Sequence, residues 1–298
     1  LVTWLQLGSL CIKVPLSVLL TFGGLGLDPM GASGCAWATL IVNYGMAGLA
    51  VWLLKTDDLY RPYQLWKKPE RPDWHRIAEF ARLGVPNGLA IMVEVTSFTL
   101  MALFVARQGS VASAAHQIAS NMAAVLYMVP MSIGIAASAR VSYWMGAGRP
   151  DRVRAAMATG FKMSLASALV LAFATWAARD LLVNLYSGQA AVVSVAGPLL
   201  AWVALYHLAD AVQAVCVFFL RCYRITVMPL MVYGLLLWGV GLAGGYRLAY
   251  FGIAGNAPWQ SPAAFWAASA AALTVTAVIF VVSLRRASLQ TKKAANRA

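Results

Sequence analysis

The sequence predicts an all-α, polytopic membrane helical bundle of about eight transmembrane helices, and three observations carry that prediction. Hydrophobic residues make up 61% of the 298 residues and charged residues 11%, with a mean hydropathy of +0.72, far from the composition of a soluble domain. The apolar residues fall into runs near the roughly 20 residues that a helix needs to cross hydrocarbon. Those runs are continuous and rich in Leu, Ala, Val and Met, without the two-residue alternation of a membrane β-strand.

In chain order, the first run covers 4–22 and the second 32–54, ending at Lys55. The third, 77–105, contains Pro86 and stops before Arg107 and Gly109. The fourth, 114–144, contains Pro130 and is closed by the Arg149, Arg152, Arg154 turn, from which the fifth, 153–178, runs to Arg179. The sixth, 190–220, ends at Arg221 and Arg224; the seventh is 227–251 and the eighth 263–284, before a basic tail. Proline inside a helix removes an N–H and clashes with the preceding turn, so kinks are expected at Pro86 and Pro130. Gly134, with Ala136 and Ala137, offers a small surface for close helix packing or a hinge. No cleavable signal peptide is visible, and the chain opens at Leu1 directly into an apolar stretch, so further helices are expected upstream.

The net charge of +13 does not point to nucleic acid, because the basic residues flank helices rather than forming an aromatic-interleaved patch. They sit in alternate connections. Lys55, Arg61, Lys67, Lys68, Arg71 and Arg76 share one, Arg149 to Arg154 another, Arg221 and Arg224 a third, and Arg285, Arg286, Lys292, Lys293 and Arg297 the tail. The positive-inside rule then places the 55–76 segment and the C-terminus in the cytoplasm. Residues 55–76 concentrate Pro62, Pro69 and Pro72 with mixed charge, which suits a linker between two lobes. The expected organisation is two helices of one lobe (1–54), a cytoplasmic linker (55–76), a six-helix lobe (77–284) and a basic cytoplasmic tail (285–298).

Cys11, Cys35, Cys216 and Cys222 show no CxxC spacing and no paired histidines, so they read as small hydrophobes, not a zinc site or disulfide framework. The carboxylates are more informative. Of ten Asp and Glu residues, all but Glu94 and Asp210 fall in loops or at helix ends. A carboxylate at membrane depth costs about 2.5 kcal/mol or more, and such residues normally face an interior cavity on an ion, proton or substrate path.

Tyr206 and Asp210 are four residues apart, as are Gln117 and Asn121, so each pair shares a helix face. Glu94 shares a face with Asn87 and Ser97. Glu94, Asp210, the Tyr206 hydroxyl and the Gln117 side chain would give oxygen ligands to a hard cation such as sodium. Gln117, Asn121, Asn87 and Ser97 read equally as helix-packing residues or as the lining of a substrate cleft. His207, beside the acidic site, reads as a wall or packing residue.

The stretch LGVPNGLAIMVEVTSF from Leu83, then AAHQI, PMSIGIAAS and LYHLADAVQ in the same order, resembles the multidrug and toxic compound extrusion (MATE) family in its NorM-like branch. GASGCAWAT from Gly31 is similar to that family's last N-lobe helix. The resemblance implies twelve helices in two pseudo-symmetric lobes, of which this chain would span helices five to twelve, and a monomeric bacterial inner-membrane exporter, not an enzyme. It implies export of lipophilic cationic drugs and toxic compounds in exchange for sodium or protons, which are transported ions rather than cofactors. The family's cation-site residues map onto Glu94, Tyr206 and Asp210, while an acidic residue of its first helix has no counterpart here.

Two other readings use similar features. A lipid-linked oligosaccharide flippase would share the helical plan but favour a cationic cleft, and Lys13 and Lys162 are the only basic residues well inside runs. An intramembrane aspartyl protease would need a GxGD segment, and none occurs. The acidic pair favours a cation.

Overall fold

The computed structural model describes residues 2–24, 26, 28–56, 58, 60, 71–252 and 257–295, with side chains from Thr3 to Gln290 within those segments. Eight helical segments among the described residues are long and apolar enough to cross a membrane, and each coincides with one of the expected runs. The proline-bearing part of the expected linker, with Arg61, Pro62, Lys67, Lys68 and Pro69, lies outside the described residues, as do the side chains of Lys292, Lys293 and Arg297.

The chain divides into two compact units, Leu1–Asp73 and Trp74–Ala298. In the first, α1 (Val2–Phe22) packs on α2 (Ala32–Thr56). Their connection is tied by Met30 N–H to the Leu20 carbonyl at 3.0 Å and Gly31 N–H to that of Thr21 at 3.1 Å. Gly34 permits this approach: a Cβ there would stand 2.3 Å from the Leu20 carbonyl oxygen.

The second unit contains α3 (Trp74–Ala106), α4 (Ser110–Gly146), α5 (Pro150–Ala177), the short α6 (Arg179–Tyr186), α7 (Ala190–Cys222), α8 (Val227–Tyr233), a π-helical stretch (Gly234–Gly244), α9 (Gly245–Tyr250) and α10 (Ala263–Ala295). Helix α7 is its axis. Of its most apolar window 78% is buried, against 22–39% for the other spanning helices of the unit, and α4, α5 and α10 all pack on it. Such an all-round apolar helix is one with no solvent or lipid face to provide.

Small residues set the close approaches. A Cβ at Gly134 of α4 would lie 2.5 Å from the Phe218 ring of α7, and one at Gly160 of α5 would lie 2.8 Å from the Ala137 Cβ of α4. The small surface around Gly134 is therefore used for packing. Free thiols remain at Cys11, Cys35, Cys216 and Cys222, the third fully buried in the core.

Two features depart from the simple reading of the runs. The 179–189 connection, read as a loop, holds the eight-residue α6, anchored by the buried Val183. The 227–251 run, read as one regular helix, widens for eleven residues into the π-helical stretch. That geometry is rare and its long runs rarer. Here the segment GLLLWGVGLAG carries four glycines, which leave its backbone free of side-chain crowding.

Within the second unit the basic connections fall at one end. Arg224 Nη1 meets Glu79 Oε1 at 2.9 Å, the Ser142 hydroxyl bonds to Cys222 Sγ, and Arg285 shares a cavity with Met157. At the opposite end Arg107 Nη1 donates to the Tyr246 hydroxyl at 2.9 Å and the Tyr250 hydroxyl donates to the Phe104 carbonyl at 2.7 Å.

Candidate functional site

Four elements converge on one small cavity. It is lined by Glu94 and Ser97 from α3, Tyr206 from α7, Leu237 from the π-helical stretch and Ser269 from α10, with about 10 Å³ of free space. That is the room for a single water-sized occupant. Helix α3 turns Glu94 inward because Ala90, Val93 and Met101 on neighbouring positions are buried. The π-helical stretch is held to α3 at the same level, since Trp238 Nε1 donates to the Val93 carbonyl at 3.2 Å. This bond lies one residue from Glu94.

Tyr206 is fixed by aromatic neighbours. Its ring meets Phe98 edge-on at 6.0 Å and Trp266 at 5.4 Å between centroids, geometries that suit the ring quadrupoles. Trp266, fully buried, donates its Nε1–H to His116 Nδ1 at 3.3 Å, and the Ser120 hydroxyl lies 3.3 Å from His116 Nε2. A ring nitrogen that accepts from an indole carries no proton, so His116 sits as the Nε2–H tautomer.

Asp210, one turn from Tyr206 on α7, is 3% exposed and lies outside the cavity lining. Gln213 Nε2 donates to Asp210 Oδ1 at 2.8 Å, and the Tyr233 hydroxyl donates to Gln213 Oε1. Asp210, Gln213 and Tyr233 thus form a buried polar chain between α7 and α8, in which both ends of the amide are satisfied.

The expected site residues separate. Glu94, Ser97 and Tyr206 come together in the cavity, and Asp210 lies one turn from Tyr206 on α7. Asn87 is half-buried two turns earlier on α3, and Gln117 and Asn121 are exposed. Gln117 therefore does not join the oxygen set at the cavity: α4 turns Ala115, His116, Ile118, Ala119 and Met122 into the core, which leaves 117 and 121 on the opposite face.

Several residues were missed by sequence reasoning. Gln213 had a usable signal, three residues beyond Asp210 on the same face. Tyr233 and Ser269 had none, because they come from other helices. Arg221, counted among loop charges, sits in the last turn of α7, with its guanidinium 4.9 Å over the Phe218 ring. His207 is 1% exposed, and neither ring nitrogen has a partner among the described residues. No cluster of three His, Cys, Asp or Glu side chains occurs among the described residues, so the donors at the cavity are two hydroxyl-bearing serines, a phenol and a carboxylate.

The chain is similar to known proteins in sequence and in fold. The chain is 38% identical over 279 residues to a probable multidrug resistance protein NorM of Aromatoleum aromaticum, covering 91% of this chain and 58% of that protein. It is 32% identical over 289 residues to the multidrug resistance protein PmpM of Pseudomonas aeruginosa, covering 95% of this chain and 59% of that one. The chain thus spans less than two thirds of the length of these relatives. Its fold is similar to the outward-facing conformation of a multidrug resistance MATE family transporter, with a TM-score of 0.82 at 12% identity, covering 97% of this chain and 63% of that one. It is also similar to the eukaryotic MATE transporter AtDTX14, with a TM-score of 0.79 at 20% identity, covering 98% and 64%. The MatE family model matches residues 86–246, the segment that carries Glu94, Tyr206 and Asp210, and on that match the chain belongs to the MatE family.

Proposed function

We propose that the protein takes part in cation-coupled export of lipophilic cationic drugs and other toxic compounds across the bacterial inner membrane, with sodium or a proton as the coupling ion. The observation that carries this reading is the Glu94 cavity, sized for one small occupant and bordered by hydroxyls, with the buried Asp210 one helical turn from the Tyr206 of its wall. Two carboxylates in a low-dielectric interior repel, and a bound cation or proton relieves the repulsion. Occupancy then favours one conformation over another, and an alternating-access cycle turns that bias into exchange.

In this reading Glu94, Asp210 and Tyr206 carry the coupling ion. Gln117 and Asn121, exposed on α4, and Asn87 contribute to the drug cleft, and Ser97 joins the ion cavity. The 77–284 segment acts as one lobe and 1–54 as part of another, the 55–76 linker and the tail face the cytoplasm, and the protein works as a monomer. The relatives' multidrug resistance names favour drugs over a pyrophosphate-linked glycan, and Lys162, exposed on α5, is not among the residues lining the cavity.

The test is efflux from cells expressing the whole protein, with sodium and pH gradients imposed separately. Asp210→Asn and Glu94→Gln keep side-chain shape and remove charge, and each is expected to abolish export at matched expression. Undiminished efflux by either variant removes that residue from the coupling site.

A further inference from the structure

Helices α5 and α10 both pack on α7 but not extensively on each other, which leaves a trough with α7 as its floor. One part of the trough, about 830 Å³, has Leu165, Leu169, Trp202, Leu205 and Val278 among its walls. Its Thr274 hydroxyl is already bonded to the Ala270 carbonyl at 2.7 Å, so that part offers no free polar group from Thr274. The other part, about 550 Å³, shares Leu165, Val212 and Val281 with the first and ends at Arg285 and Ser288. The trough is therefore continuous, apolar along its length and cationic at one end.

We propose that this trough binds one anionic phospholipid, with an acyl chain along α7 and its phosphate at Arg285. Three features select that occupant. Arg285 forms no salt bridge among the described residues, and no acidic side chain lines the trough, so its charge calls for an anion from outside. The length suffices for an acyl chain: half of a ~30 Å hydrocarbon core is about ten helical residues at 1.5 Å each, which reaches from Arg285 to the level of Val275, and the lining on α10 continues past that level to Ala267. Arg285 also stands at the basic end of the unit, the side that the positive-inside rule assigns to the leaflet rich in anionic headgroups. A helix from a second copy would fill the apolar part but leave Arg285 without a counter-charge.

The test is native mass spectrometry of the whole protein released from detergent, titrated with phosphatidylglycerol or with phosphatidylcholine of the same acyl chains. The first phosphatidylglycerol is expected to bind about fivefold more tightly than phosphatidylcholine, the weight of one arginine at an anionic headgroup. Arg285→Gln, at an exposed position, should erase that preference, and Val278→Trp, 58% exposed on the trough wall, should weaken both lipids alike. A headgroup preference untouched by Arg285→Gln overturns the proposal. So does a dominant dimer that Val278→Trp dissolves, which would assign the face to a second copy.

Discussion

The hydroxyl of Tyr233 makes the buried polar chain next to Asp210 testable without touching a carboxylate. Tyr233→Phe keeps the ring, and with it the edge-on contact to Phe280 at 5.4 Å, but removes the donor to Gln213 Oε1. Tyr233 is 3% exposed and Gln213 1%, so water cannot replace that donor from outside. An unsatisfied buried acceptor costs about 1–3 kcal/mol, and in a domain of 150–250 residues each kcal/mol moves Tm by about 2–4 °C. A cost of about 2 kcal/mol therefore lowers Tm by about 4–8 °C. Cys216 is fully buried, so in a variant where it is the single thiol, its reaction with a thiol-sensitive dye reports unfolding. The same substitution made in a Gln213→Leu background should cost much less, because the amide it serves has gone, giving a coupling of about 1 kcal/mol between neighbours that share a bond. A Tm within a degree of the parent, or strictly additive effects, refutes the chain.

Two further outcomes are expected. Gly34→Ala should lower Tm, because its Cβ meets a backbone oxygen at 2.3 Å that has no side chain to swing aside, whereas Gly45→Ala in the same helix meets nothing within 4 Å and should gain a few tenths of a kcal/mol or more from helix propensity; equal effects would contradict the close pairing of α1 and α2. In a background lacking the native cysteines, an impermeant maleimide should label Ser187→Cys in intact cells and Arg149→Cys only after permeabilisation, and the reverse pattern inverts the proposed orientation.

The sequence by itself determined the membrane class, the eight spanning segments and the two carboxylates at depth. These rest on local quantities: a helix satisfies its own backbone bonds in hydrocarbon, so run length and composition suffice, and a carboxylate inside such a run is conspicuous wherever the helix packs. Helix periodicity also paired Tyr206 with Asp210 and Glu94 with Ser97, since residues on one face are fixed by spacing alone.

Only the tertiary structure decided which faces turn inward. Gln117 has the same spacing to Asn121 as Tyr206 has to Asp210, yet α4 buries the face carrying His116 and leaves Gln117 outside. Ser269 and Leu237 reach the Glu94 cavity, and Tyr233 reaches the Gln213 that holds Asp210, from other helices, and no local pattern encodes such meetings. The widening at Gly234–Gly244 escaped for a related reason. Its glycines permit the wide turn without requiring it, and the hold of Trp238 on the Val93 carbonyl exists only once α3 lies alongside.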